Sequence, residues 1–315
     1  MLASPGWREQ RERGTRLGLV LIRWFALRCG RRASRLLLGF VVAWYLLRAR
    51  DEQRQLRKFF TRALDRPGRW SDIRRLYWNF ACVTLDRVFL LAGHEHRFDI
   101  RTRGAEILSR LRDEGRGGIL LGAHFGSFEA LRALGIHRAG LPISILQYVE
   151  QNPLITRELA RIDPDLAHGI IPLGRPDVLL HLAERLRQGE FVALLGDRIG
   201  TRGERRVSCD FLGVPADFPS GGIEAALILG APIILFLGVY RGGRRYDLHF
   251  ELLEAGQRVP RGRRREATQR LVCRYANRLA HYARQTPWNW FNFFDFWEPA
   301  TRNSGKNIDS PTVLR

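Results

Sequence analysis

One histidine of this chain sits in a setting where side chains do chemistry. The run Ile119-Leu120-Leu121-Gly122-Ala123-His124-Phe125-Gly126-Ser127-Phe128-Glu129-Ala130-Leu131 begins apolar and strand-like, narrows to Gly-Ala, and continues as a helical pattern. Strand ends that open into helix starts are where α/β proteins place reactive groups. His124 is a candidate base and Glu129 its candidate partner. A carboxylate bonded to one imidazole nitrogen fixes the tautomer and raises the basicity of the other, as a general base for a hydroxyl requires. Five residues on a regular helix turn a side chain through about 500°, leaving the two roughly 140° apart. The pair therefore meets only if His124 lies in the turn before the helix and folds back over its first residues. Gly126 permits a tight turn and Ser127 is a plausible N-cap. A purely structural histidine is the other role open to this position.

Further candidates follow. Gly196-Asp197-Arg198 ends a buried strand, and an Asp-Arg pair there either binds substrate or braces a loop. Phe211 to Gly222, containing Phe218, Pro219, Ser220 and Gly221, reads as a loop feeding a helix; its glycines present N–H groups suited to a phosphate or an oxyanion, or make an ordinary turn. Trp288 to Trp297 is an aromatic block that either lines an acyl pocket or closes the sheet as core. The chain has no GxSxG elbow, no HExxH and no Walker loop. Ser127 lacks a second histidine to serve it, so His124 would act directly on a substrate hydroxyl or amine.

The elements that must position these groups alternate between strand and helix. Strand-like runs at 119–122, 143–148, 169–173, 191–195, 233–239 and 246–253 alternate with helical patterns at 106–113, 153–162, 176–186 and 222–229, and a long basic helix covers 264–284. This predicts an α/β fold with a mixed, mostly parallel central sheet flanked by helices. Residues 50–93 read as helices broken at Arg66-Pro67-Gly68, with Trp70, Leu76, Tyr77, Phe80 and Leu85 in the core. Arg202 to Arg206 reads as mobile and basic. Before these, residues 17–47 read as one or two helices turning near Gly30, and no signal peptide is legible. The longest clean apolar run, Leu36 to Leu47, is twelve residues, too short for a bilayer about 30 Å thick. Its apolar face, arginine edges and tryptophans predict a helix lying in a membrane interface; a helical hairpin packed on the protein's own core is the alternative. The expected division is 1–50 membrane-associating helices, 51–300 catalytic α/β domain and 301–315 polar tail.

Lys+Arg number 52 against Asp+Glu 32, a formal charge of +20, and Lys58 and Lys306 are the only lysines. Such a surface favours polyanionic partners: nucleic acid, anionic lipid or an acidic carrier protein. Nucleic acid is disfavoured because the aromatics cluster at the N-terminus and at 288–297, away from most arginine runs. Cys29, Cys82, Cys209 and Cys273 are widely spaced, which argues against structural zinc and a disulfide framework and for a reducing compartment.

Taken in order, His124-x4-Glu129 after a strand, Gly196-Asp197-Arg198, Phe218-Pro219-Ser220-Gly221-Gly222, Ala231-Pro232 and Pro287-Trp288…Trp290-Phe291 resemble the bacterial lipid A biosynthesis acyltransferases, a branch of the lysophospholipid acyltransferase superfamily. The resemblance runs from about Trp7 to Trp297. It implies a membrane-bound O-acyltransferase on the cytoplasmic face of the bacterial inner membrane, taking its acyl chain from acyl carrier protein, or less often acyl-CoA. No metal or tightly bound cofactor is implied. His124 becomes the base, Glu129 its support, and Asp197, Arg198, Gly126, Ser127, Phe218, Pro219 and Gly221 substrate-binding positions. Lipid A enzymes commonly carry an arginine where Tyr148-Val149-Glu150 stands here. The N-terminal Gly-Trp-Arg-Glu-Gln-Arg-Glu-Arg-Gly and the Phe-rich ending look more like a divergent branch. The acceptor need not be lipid A itself. The competing reading is a non-catalytic basic protein that binds anionic membranes or nucleic acid.

Overall fold

A computed structural model describes residues 16–132, 140–147, 161–162, 169–200 and 203–297. Three helices come first: α1 (Arg16–Arg48), α2 (Arg50–Leu64) and α3 (Trp70–Leu91). Then follow β1 (Asp99–Arg103), α4 (Glu106–Asp113), β2 (Gly118–Gly122), the single turn α5 (Glu129–Arg132), β3 (Ile143–Gln147), β4 (Ile170–Pro172), α6 (Val178–Arg187) and β5 (Phe191–Leu195). The chain continues through β6 (Arg206–Phe211), β7 (Val214–Pro219), α7 (Gly221–Leu229), β8 (Ile233–Gly242), β9 (Arg245–Glu254) and α8 (Arg261–Gln285).

Seven strands form one sheet in the order β1-β9-β8-β2-β5-β3-β4. Every pairing in it is parallel except the β8–β9 hairpin. The predicted mixed, mostly parallel α/β fold is what forms. The central strands read as continuous apolar runs because both faces are covered: Ile119, Leu120, Phe191, Val192, Ile233 and Ile234 are all buried.

Four expectations are corrected. Phe211 to Gly222 is not a loop: β6 and β7 form an antiparallel hairpin, turning at Leu212 and Gly213, both with positive φ. Alternating Cys209, Phe211, Ala216 and Phe218 point inward, a period of two that dominates the turn-forming residues around it. Gly203 to Arg206 is held, since Glu204 accepts from the Gly200 N–H and Arg205 pairs with Glu224 at 2.6 Å. Cys209 and Cys273 form a disulfide between β6 and α8, their Cα atoms 5.3 Å apart. Finally, Trp70 and Phe80 are exposed, whereas Leu76, Tyr77 and Leu85 are core. The helix expected over 153–162 falls outside the described residues except for its last two positions, as do Tyr148-Val149-Glu150, Arg202 and the tail after Trp297.

α1 turns at Gly30, whose φ of 80° interrupts the helix. Ala26, Val42 and Ala49 join the main core, while Leu36, Leu37, Phe40, Val41, Trp44 and Leu47 face outward, with Phe40 77% exposed. Among the described residues no helix is long and apolar enough to cross a membrane. Arg31 anchors α1: its guanidinium grips Asp86 of α3 through two bonds of 2.6 and 2.7 Å and also donates to the Gly243 carbonyl. Tyr246 donates to the same carboxylate at 2.8 Å. Asp86 is fully buried and Arg31 nearly so, and removing one partner from such a pair leaves an uncompensated buried charge. Asp86→Ala should therefore cost about 3–5 kcal/mol of stability in urea unfolding. A loss within 1 kcal/mol of wild type would show that this clamp does not hold α1 in place.

Candidate active site

β2 and β5 are parallel neighbours, with Gly118 opposite Phe191 and Gly122 opposite Leu195. Both chains leave the sheet at the same level, so His124 and Asp197, each two residues beyond that last pair, arrive side by side. Asp197 Oδ1 lies 2.8 Å from His124 Nδ1, and its Oδ2 accepts the His124 backbone N–H at 3.0 Å. Oδ2 also accepts the indole N–H of Trp290 at 3.1 Å. The carboxylate thus has three donors while only 1% exposed, whereas a third of the His124 side chain is open.

The turn carrying His124 is stitched on both sides. Gly126 donates to the Asn289 carbonyl at 2.8 Å, Ser127 N–H to Gly238 O at 2.7 Å, and Phe291 N–H to the His124 carbonyl at 2.8 Å. Gly126 has φ +63°, and a Cβ there would meet the Gly238 oxygen at 1.8 Å, so only glycine fits. The Ser127 hydroxyl accepts the Ala130 N–H at 3.2 Å and is completely buried, the N-cap role its sequence suggests. From the other side Asn289 bonds both the N–H and the carbonyl of Tyr240 at 2.8 and 3.2 Å, fastening the C-terminal segment to β8. From below, Tyr275 of α8 donates to Gly122 O at 2.7 Å.

The carboxylate on the imidazole is therefore Asp197, not the expected Glu129. Glu129 instead pairs with Arg87 of α3 at 2.6 Å, tying α5 to the N-terminal helices. Glu129 opens α5 and its carboxylate is taken by Arg87, while the strand register brings Asp197 to the imidazole at bonding distance. The signal was in the sequence: Leu121-Gly122-Ala123-His124 and Leu194-Leu195-Gly196-Asp197 are two strand ends of matching form. The sequence offers Trp290 as core or as pocket lining. It is fully buried, but its ring nitrogen belongs to the site.

Arg198 donates through Nη2 to the Phe291 carbonyl at 2.6 Å, and its cation lies over the Phe294 ring, 5.5 Å from the centroid. Gly126 and Ser127 shape the turn, through backbone and cap, and do not present side chains to a substrate. Phe218 is wholly buried against Phe211, Tyr275 and Phe296, a packing role beneath Trp290, which Phe211 also contacts. Pro219 ends β7 and Gly221 opens α7 beside it.

The charges compete in an orderly way. Burial alone would raise the Asp197 acid, but the adjacent His124, Arg198 and the Trp290 donor hold it down at about 2. Burial and the Arg198 cation push His124 below the ordinary imidazole range, against the pull of Asp197. Both effects favour the uncharged imidazole at neutral pH, held by the carboxylate through Nδ1.

The profile of the family described as bacterial lipid A biosynthesis acyltransferase matches residues 9–293. The chain belongs to that family. It is an acyltransferase, and the expectation drawn from the ordered motifs stands. No curated protein matches it closely enough to count as a relative. For an acyltransferase whose base is His124, kcat/KM should stay flat through neutral pH and fall on the acid side with a midpoint below the ordinary imidazole value of about 6.5, because only the neutral ring accepts a proton. A midpoint at or above 7 in a pH–rate series would contradict this placement of charges.

Proposed function

We propose that this acyltransferase moves a fatty acyl chain from a thioester, acyl carrier protein in preference to acyl-CoA, onto a hydroxyl of a lipid or glycolipid such as a lipid A precursor. The observation that carries the reading is the His124–Asp197 pair: an imidazole, one third open, oriented by a buried carboxylate. His124 Nε2 takes the acceptor's hydroxyl proton as that oxygen attacks the thioester carbonyl. A C–O bond forms and the carbonyl electrons move onto oxygen. When the carbonyl re-forms, the C–S bond breaks and the departing thiolate takes the proton from the imidazolium. Asp197 holds the ring in the tautomer that makes this possible and stabilises the charged intermediate state. Glu129 supports the site at one remove by fixing Arg87 and the start of α5. The donor thioester is a substrate, and the step calls for no further cofactor.

The net charge of +20 favours an acidic carrier protein and anionic lipid as company. The outward apolar stripe of α1 is flanked by exposed Arg28, Arg32, Arg48 and Arg50. Each large apolar side chain taken fully out of water contributes about 1.5–3 kcal/mol, so partial burial of six is enough for peripheral attachment. The cytoplasmic face of the bacterial inner membrane offers the donor, the acceptor and the anionic surface together.

Two experiments test these points. With acyl carrier protein bearing a labelled acyl chain and a lipid A precursor as acceptor, Asp197→Asn should lower kcat by about 10³–10⁴-fold, the loss expected when an imidazole is left in the wrong tautomer. Glu129→Gln should cost at least tenfold less; equal losses would return the supporting role to Glu129. Separately, Leu36→Ser, Phe40→Ser and Leu47→Ser combined should release the protein from anionic liposomes in a flotation assay while its melting temperature holds, since these side chains are outside the core. Undiminished binding would remove α1 as the attachment surface.

A further inference from the structure

The proposed transfer places a negative charge on the thioester oxygen, and a donor for it has yet to be assigned. Arg198 lies next to Asp197 in the chain and keeps an unused N–H donor. Its Nη2 is fixed to the Phe291 carbonyl at 2.6 Å, and the N–H of that same residue bonds the His124 carbonyl at 2.8 Å. One residue therefore holds the guanidinium and the base's backbone together. The Arg198 Nε is buried with no hydrogen-bond partner among the described residues. No carboxylate among them lies within ion-pair distance of this cation; the neighbouring Asp197 spends its oxygens on His124 and Trp290. The Phe294 ring also faces the guanidinium, and it attracts a cation but accepts no hydrogen bond in its plane.

Arg198 is half-buried as a residue, but a buried N–H donor left idle is costly unless a partner arrives to meet it. Arginine also keeps its proton in such surroundings and presents its donors in a rigid fork. A preorganised donor beside the base, unused in the ground state, is what stabilisation of a transient oxyanion requires.

We infer that Arg198 is the catalytic cation that receives the oxyanion formed at the thioester carbonyl, an inference that rests on the acyl-transfer reading. During attack its free guanidinium N–H groups bond the carbonyl oxygen as the C–O bond forms, and release it when the C–S bond breaks. The competing use of the same donors is a fixed anion of the substrate, such as a phosphate on the acceptor. That use would act equally in the ground state and the transition state, and so would show in KM rather than in kcat.

The test compares wild type, Arg198→Lys and Arg198→Gln with dodecanoyl acyl carrier protein as donor and a lipid A precursor as acceptor. Arg198→Gln should lose about 10²–10³-fold in kcat, with the KM of the acceptor within twofold. Arg198→Lys should recover at least tenfold of that loss by restoring the charge without the fork. Melting temperatures within a few degrees of wild type confirm the fold; if the Gln variant does not fold, the Lys variant must still lose kcat at unchanged KM. A raised KM with kcat held would make Arg198 a binder of a fixed anion and overturn the inference. An Arg198→Gln enzyme as fast as wild type would overturn it as well, leaving the acyl-transfer reading intact. Absence of transfer by wild type would sink that reading and this inference together.

Discussion

The parallel hydrogen-bond register between β2 and β5 is the constraint on which the site depends. Gly122 and Leu195 are the last paired residues, and from that common level each chain advances two residues, to His124 and to Asp197. Side chains alternate between the faces of a sheet, so a slip of one residue would turn one member of the pair to the opposite side. The register is protected by burial on both faces: Leu120, Leu121, Ala193 and Leu194 each fill a place that a polar or shifted neighbour could not. Glycine at 122 and 196 belongs to the same constraint. A Cβ at Gly196 would meet the Leu121 side chain at 2.6 Å, closing the gap through which the two chains leave the sheet together.

Once the pair is formed, the remaining polar groups follow from the need to satisfy a buried carboxylate. Asp197 collects an imidazole, a backbone N–H and an indole N–H, and each is supplied by a different part of the chain. The Trp290 donor requires the segment after α8 to lie across the end of the sheet. Asn289 holds that segment to β8, and contacts of Trp290 with Phe59 and Phe211 hold it to α2 and the β6–β7 hairpin. The aromatic ending is thus both core and site. Its rings exclude water around the carboxylate, which strengthens the bonds made there.

The N-terminal helices show the same economy with two faces of opposite use. One side of α1 packs on α3 and is locked by the Arg31–Asp86 clamp. The other leaves Leu36, Phe40, Trp44 and Leu47 to the outside. A contiguous exposed apolar stripe on a folded chain marks a surface meant for something else. α3 joins the two functions: it carries the clamp at Asp86 and, at Arg87, the partner of Glu129.

Much of this was legible from the chain itself. The apolar runs and their spacing determined the α/β alternation, the break at Gly30, the helices about Arg66-Pro67-Gly68 and the place of His124 just beyond a strand end, because periodicity and punctuation are local properties. The order of motifs determined the family. The tertiary structure alone decided which carboxylate meets the imidazole. Glu129 is near in sequence, but Asp197 is near in space, because neighbouring parallel strands bring together residues seventy-three positions apart. It also decided that Phe211 to Pro219 pairs as a hairpin, that Cys209 finds Cys273, and that Trp290 donates to an acid instead of only filling the core. Each of these depends on a contact between distant segments, and the spacing of residues along a chain specifies such contacts only after the sheet has fixed who lies beside whom.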